Sequence, residues 1–332
     1  MRLAAIDLGS NTIRLLVADV DPVVGLRAVH GEQVVARLGE GVARTGRLRP
    51  EAMARALSVV RTYREHARAL GADRVRVVAT AAVRQAENRE ELVGRLAVEP
   101  HVAVRVVSGE EEARLTVLGV MWGVMSGARG GHPGGDARVA VLDIGGGSTE
   151  VVVAAGGTVL GGGSVSLGVV ALAERFFHAD PVDWAEYAGC AGHVARRLEV
   201  EAWPGIRPLA PVGLVGTAGT ITTLAALDLG LETYDPGRVQ GHRLSAATIA
   251  ALRDRLGAMP VADRARLPCL EPGRADLIVP GIAITEGVLA GLGMAALTVS
   301  DTGLREGILL EATGWAPDVA HGARGAREAP AP

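Results

Sequence analysis

The feature that most constrains this chain is a turn that it contains twice. "AAIDLGSNTIRLLV", residues 4–17, and "VLDIGGGSTEVVV", residues 141–153, each set an aspartate and glycine between two apolar runs that read as strands. Asp7 and Asp143, Gly9 and Gly145, and Thr12 and Ser148 correspond at a constant offset of 136 residues (7 to 143, 9 to 145, 12 to 148). A single D-x-G turn between strands is most simply a hairpin. Two with matching flanks imply a duplicated unit, and 332 residues suffice for two cores of ordinary size. The expected first unit covers residues 1–125, completed by 301–315, and the second covers 136–300. "GARGGHPGGD" (127–136) is the glycine-rich break between them, and the aperiodic segment 316–332 reads as a disordered tail.

Between these landmarks strands and helices alternate. A helix is expected from Pro50 to Leu70, with Gly71 as its C-terminal stop, and "RVRVVAT" and "VAVRVVS" read as strands around a helix that Asn88 opens. A further helix runs from Ser108 through Trp122. The second half offers strand-turn-strand at 138–153, helices near 168–177 and 183–200, and the strand "PVGLVGT" leading into the helix "GTITTLAAL". Helices near 246–257 and 280–292 and the strand "ALTVS" complete the pattern. Residues 277–300 are long enough to span a membrane, but Pro280, Glu286 and four glycines argue for a buried helix followed by a strand.

Each repeated turn exposes successive backbone N–H groups where glycine permits close approach, which suits a phosphate. The aspartate ending the preceding strand then suits a hydrated divalent cation, since magnesium is usually held by one or two carboxylates, waters and substrate phosphates. Asp7 and Asp143 would occupy opposite walls. A third N–H cluster, Thr217 to Thr220, leads a strand into a helix. "SGEEEARL" places three glutamates at a helix start. Ser108 and Glu111 have capping-box spacing and acids in a first turn favour the helix dipole, which leaves Glu112 without a structural task. Thr116 and Gly119 share its face and could pack closely at a domain junction. Arg84, just after a strand, is placed to reach a cleft and stabilise charge on a phosphoryl group.

A net charge of −3 gives no general attraction to nucleic acid or an anionic membrane, so a polyanion would need a local site. The chain has no lysine, which leaves arginine as its only strong cation. Cys190 and Cys269 are isolated, which argues against a zinc site or disulfide framework and agrees with a reducing cytoplasm. With Asp7 so close to the first residue, no signal peptide is expected before it. Neither a P-loop motif nor a G-x-G-x-x-G after the first strand is present.

Taken in order, "AIDLGSNTIRLLVADV", "VATAAVRQAEN", "SGEEEARL", "VLDIGGGSTEVV", "SLGVVALAERF", "VGTAGTITTLAAL", "RADLIVPGIAI" and "SDTGLREGILLE" resemble the exopolyphosphatase/guanosine pentaphosphate phosphohydrolase (Ppx/GppA) phosphatases of the actin-like ATPase superfamily. The resemblance spans residues 3–312. It implies an α/β fold of two ribonuclease-H-like domains, each with a mixed sheet, flanking a cleft. It makes Glu112 the base for water attack on a terminal phosphoryl group and Arg84 a contact to the scissile phosphate. It also puts Asp7, Gly9, Ser10 and Asn11 in a first phosphate loop and Gly145, Gly146, Gly147 and Ser148 in a second. Thr217, Gly219 and Thr220 become further phosphate contacts, and Asp143 with Glu150 organise magnesium or manganese.

The implied activity is hydrolysis of the terminal phosphoanhydride of inorganic polyphosphate. Alternatives are removal of the 5′ γ-phosphate of pppGpp, or a non-catalytic sensor of (p)ppGpp or another nucleotide. A sugar kinase is disfavoured by the short chain. The chain stops about twenty residues after its last motif, where longer family members continue into an HD-like region that helps hold long polyphosphate. It therefore resembles the short form, which implies short chains as substrate, and a cytoplasmic homodimer is expected. Where the family has Val-His-Gly, this sequence has Val239, Gln240, Gly241 and His242, so no histidine role is carried over.

Overall fold

The computed structural model describes residues 1–126 and 137–315; the glycine-rich break and the tail expected above lie outside the described residues. From Leu3 onward every residue of β1 (Arg2–Leu8) is buried, because the strand is covered on both faces. It is the centre of a five-stranded sheet with β2 (Thr12–Asp21), β3 (Gly25–Val35), β4 (Arg74–Ala79) and β5 (Val102–Val106), in the order β3-β2-β1-β4-β5. The hairpin strands β1, β2 and β3 are antiparallel, whereas β4 and β5 continue parallel to β1.

The second sheet repeats the plan. β6 (Val139–Ile144), β7 (Thr149–Ala155) and β8 (Thr158–Val165) form the hairpin ladder, and β9 (Gly213–Thr217) lies parallel to β6. With β10 (Arg243–Ser245) and β11 (Ala296–Val299) the order is β10-β11-β9-β6-β7-β8. The duplicated turn therefore joins equivalent strands, and two α/β units built on mixed sheets result. In each hairpin the aspartate faces a charged residue across the ladder, Arg14 opposite Asp7 and Glu150 opposite Asp143.

One helix stands between the sheets. Gly109–Ser126 packs Leu115 and Leu118 with Leu16, Ile308 and Leu309 on the first sheet's side, and Ala113, Val117 and Val120 with Val141, Val152 and Val215 on the second's. A helix apolar all round belongs in such a place. Beside it runs Leu304–Thr313, which returns the chain to β1 and β2. The two helices cross almost backbone to backbone: a Cβ on Gly119 would overlap the Gly303 carbonyl oxygen, and one on Gly307 would overlap that of Leu115.

The apolar stretch 277–300 forms the buried helix Ile278–Leu292 and then β11. Its Glu286 is satisfied by the Tyr187 hydroxyl at 2.6 Å and Arg253 at 3.0 Å. Among the described residues no helix is long and apolar enough to cross a membrane. Ser108 caps its helix, accepting from Glu111 N at 3.1 Å. Asn88 precedes the helix Arg89–Ala97 but does not cap it, since its side chain is bonded to the backbone N–H and C=O of Leu48 instead. The strands β3 and β8 and the helix Leu304–Thr313 have no clear sign in the sequence. Gly119→Ala and Gly307→Ala should each lower stability by about 2 kcal/mol or more through overpacking. Gly94→Ala, with nothing within 4 Å of its Cβ, should raise it by about 0.5–1 kcal/mol; urea midpoints test all three.

Candidate active site

Both repeated turns open on one cavity of about 770 Å³ between the sheets. Gly9, Ser10 and Asn11 line it from the first turn, and Gly145, Gly146, Gly147 and Ser148 from the second. The second turn has three glycines for a reason the sequence does not show: the loops press on each other. A Cβ on Gly146 would sit 2.9 Å from Asn11 N, and one on Gly147 would sit 2.5 Å from Ser10 Oγ. Ser10 Oγ in turn accepts from Ala82 N at 3.1 Å, which ties the first loop to the helix Ala81–Gln85. Thr217, Gly219 and Thr220 complete the N–H groups around the cavity at the start of the helix Ala218–Asp228, with the Thr217 hydroxyl donating to Thr302 O at 2.9 Å.

Of the three glutamates at the helix start, Glu110 is exposed and Glu111 pairs with Arg105 at 2.9 Å. Only Glu112 is buried, and it lines the cavity. Its Oε2 accepts from Arg84 Nη1 at 2.8 Å, while the same nitrogen donates to Val107 O at 2.9 Å. Arg84 is therefore held behind Glu112 and does not line the cavity. Asp7 and Asp143 both line it. Asp7 lies 3.6 Å from Arg14, and Asp143 Oδ2 accepts from the Thr116 hydroxyl at 3.1 Å. Glu150 is off the cavity surface, where its Oε1 accepts from Ser148 Oγ at 2.8 Å and Ser164 Oγ at 2.7 Å.

Arg14 and Ser164 are site neighbours that the sequence does not single out, and Thr116, expected to pack at a domain junction, also bonds Asp143 there. Arg14 could have been found from the hairpin register, which puts it opposite Asp7. Ser164 lies on β8, a strand with no clear pattern, and left no signal.

Four carboxyls are thus buried close together, and their acidities show it. Burial pushes Glu150 up to about 7, with Asp143 adding to the effect and Ser164, Ser148 and Arg84 opposing it. Burial pushes Asp7 up to about 6, Arg14 opposing and Asp143 adding. Glu112 is raised well above the usual carboxylate range by burial and then by Glu150, against the pull of Arg84. Asp143 is raised by burial, against Arg14 and the Thr116 bond. Such a set of hard oxygen donors lacks positive charge and fits a divalent cation. No three-residue cage exists among the described residues, and magnesium needs none when two carboxylates, water and a phosphate share its shell.

The raised values fix the sign of a pH effect. A carboxyl whose native pKa exceeds its unfolded one holds its proton better when folded, so the stability it contributes is complete below about pH 4 and is lost as pH rises through about 6–7. Without added metal, the unfolding free energy should fall by on the order of 2–3 kcal/mol between about pH 5 and about pH 8. Glu150→Gln should flatten that slope in urea titrations at each pH.

The chain has relatives of matching length. The model of the Ppx/GppA phosphatase family matches residues 16–314. Exopolyphosphatase 2 of Mycobacterium tuberculosis is 37% identical, the match covering 94% of this chain and 99% of that one. A crystal structure of the Aquifex aeolicus Ppx/GppA family member is 34% identical, with a TM-score of 0.77 and coverage of 94% and 97%. An exopolyphosphatase from Cytophaga hutchinsonii superposes with a TM-score of 0.85 at 28% identity, covering 96% of this chain and 99% of that one. With a family model over most of its length and relatives of this identity and coverage, this chain belongs to the Ppx/GppA phosphatase family.

Proposed function

We propose that this protein hydrolyses the terminal phosphoanhydride of inorganic polyphosphate, with Glu112 as the base. The observation that carries the reading is the place of Glu112. It is a buried carboxylate in the first turn of the helix between the sheets, lining the same cavity as both glycine turns and oriented by Arg84. The names of the Mycobacterium and Cytophaga relatives support the substrate class.

In the proposed step the terminal phosphoryl group lies against the N–H groups of the two turns, which balance its negative oxygens. Glu112 accepts a proton from a water whose oxygen attacks the phosphorus. The bond from phosphorus to the bridging oxygen breaks, that oxygen stays on the shortened chain as its new end, and orthophosphate is released. Burial raises the proton affinity of Glu112, and Arg84 opposes that rise and aims the carboxyl. Asp7 and Asp143 would hold magnesium or manganese, with Glu150 behind them. When bound, that ion supplies the positive charge that the buried carboxylates lack and that the transferring group needs.

Phosphate release from short polyphosphate, long polyphosphate and pppGpp, measured in parallel with magnesium, tests the reading. Glu112→Gln should lower kcat by about 10²–10⁴ with little change in substrate binding. Arg84→Ala should lose turnover while the protein stays folded. Cleavage of pppGpp alone would transfer the mechanism to that substrate, and tight binding without turnover would leave a sensor in place of an enzyme.

A further inference from the structure

A second cavity, of about 300 Å³, adjoins the first, and Asn11 and Leu277 line both. They are the partition between the two spaces. Asn11 is 7% exposed and its Oδ1 is buried without a hydrogen-bond donor; its Nδ2 reaches only the Thr12 hydroxyl, at 3.4 Å. A bare acceptor there can take a hydrogen bond from a passing donor, such as water or the P–OH of hydrogenphosphate.

The second cavity is also lined by Arg264, which is 2% exposed. Its Nε donates to Met259 O at 3.0 Å and its Nη1 to Ala275 O at 3.1 Å. Among the described residues Nη2 has no hydrogen-bond partner and no carboxylate lies within salt-bridge distance. Guanidinium stays charged at any ordinary pH, and Asp180 and Asp276 act on this one only from beyond salt-bridge distance. The four acids that line the cavity each hold another donor, so none binds the guanidinium directly. Asp276 pairs with Arg37 at 3.0 Å, Glu174 accepts from Gly41 N at 3.0 Å, Asp180 accepts from Val261 N at 2.9 Å, and Glu40 pairs with Arg49 at 3.1 Å.

The proposed reaction makes its small product at an awkward place. Cleavage of the terminal phosphate at Glu112 leaves orthophosphate at the inner end of the cleft, with the shortened chain still filling the way out. We propose that the second cavity is the exit for orthophosphate, which passes between Asn11 and Leu277 and is drawn by the free face of Arg264. The engaged acids around Arg264 keep the hold weak, as a path out requires. The proposal rests on the phosphohydrolase reading.

Ala173 lines the second cavity and not the first, so Ala173→Trp fills the exit without touching the cleft. With polyphosphate and magnesium, single-turnover cleavage by Ala173→Trp should equal that of the wild type. Its steady-state turnover should fall about tenfold as release becomes limiting. The loss should be greater on long chains than on tripolyphosphate, whose short remainder can leave by the open cleft. Arg264→Gln should weaken product inhibition by inorganic phosphate several-fold; thermal melts check that both variants fold, and Ala173→Trp carries the test if Arg264→Gln does not. Unchanged steady-state turnover in Ala173→Trp, or an equal loss in single turnover, overturns the exit. If the wild type cleaves no substrate, the function reading has failed, and phosphorus NMR line broadening of inorganic phosphate still decides the site. Broadening lost in Ala173→Trp supports it, and equal broadening overturns it.

Discussion

The close crossing of the helices Gly109–Ser126 and Leu304–Thr313 sets the geometry of everything else. Because Gly119 and Gly307 carry no side chain, the two backbones meet, and the first helix can fill the gap between the sheets with apolar contacts on both sides. That position puts its first turn at the cavity and its Thr116 against Asp143 of the second sheet. The catalytic candidate is thus held by the core that joins the two units, not by a loop. A side chain at either glycine would move Glu112 along with the helix.

The same junction concentrates charge that the protein alone does not balance. Asp7, Asp143, Glu112 and Glu150 are all buried, and each titrates above its ordinary range. The protein offers Arg14, Arg84, Thr116, Ser148 and Ser164 to them, which orients the carboxyls without neutralising the set. Folding therefore stores an electrostatic cost at the cleft, which a divalent cation with a phosphate chain would relieve. Rising pH is therefore expected to lower the stability of the metal-free protein and to raise its affinity for a divalent cation, because both follow from ionising the same carboxyls.

Much of the plan was legible because it was written in short range. Asp7, Gly9, Asp143 and Gly145 sit in turns whose partners are neighbours in sequence, and Glu112 stood out because Ser108 and Glu111 already explained the cap. What escaped was long-range. Asn88 has the sequence of a cap, yet its amide meets Leu48, forty residues away. β8 contains three consecutive glycines and lies at the sheet edge, so its sequence has little strand pattern, and Ser164 on it was invisible as a partner of Glu150. Arg84 looked like a residue reaching into a cleft, and the fold turns it to Glu112.

By itself the sequence determined the duplication, the alternation of strand and helix, the two aspartate-glycine turns and the glutamate at a capped helix start. These depend on backbone propensities and spacing, which act over a few residues. Only the tertiary structure decided that the glycines of the second turn serve loop-on-loop packing, that Arg84 orients Glu112, and that Asn11 and Leu277 divide two cavities. Those facts depend on how two sheets and one shared helix are set against each other, a choice made by close packing between residues far apart in the chain.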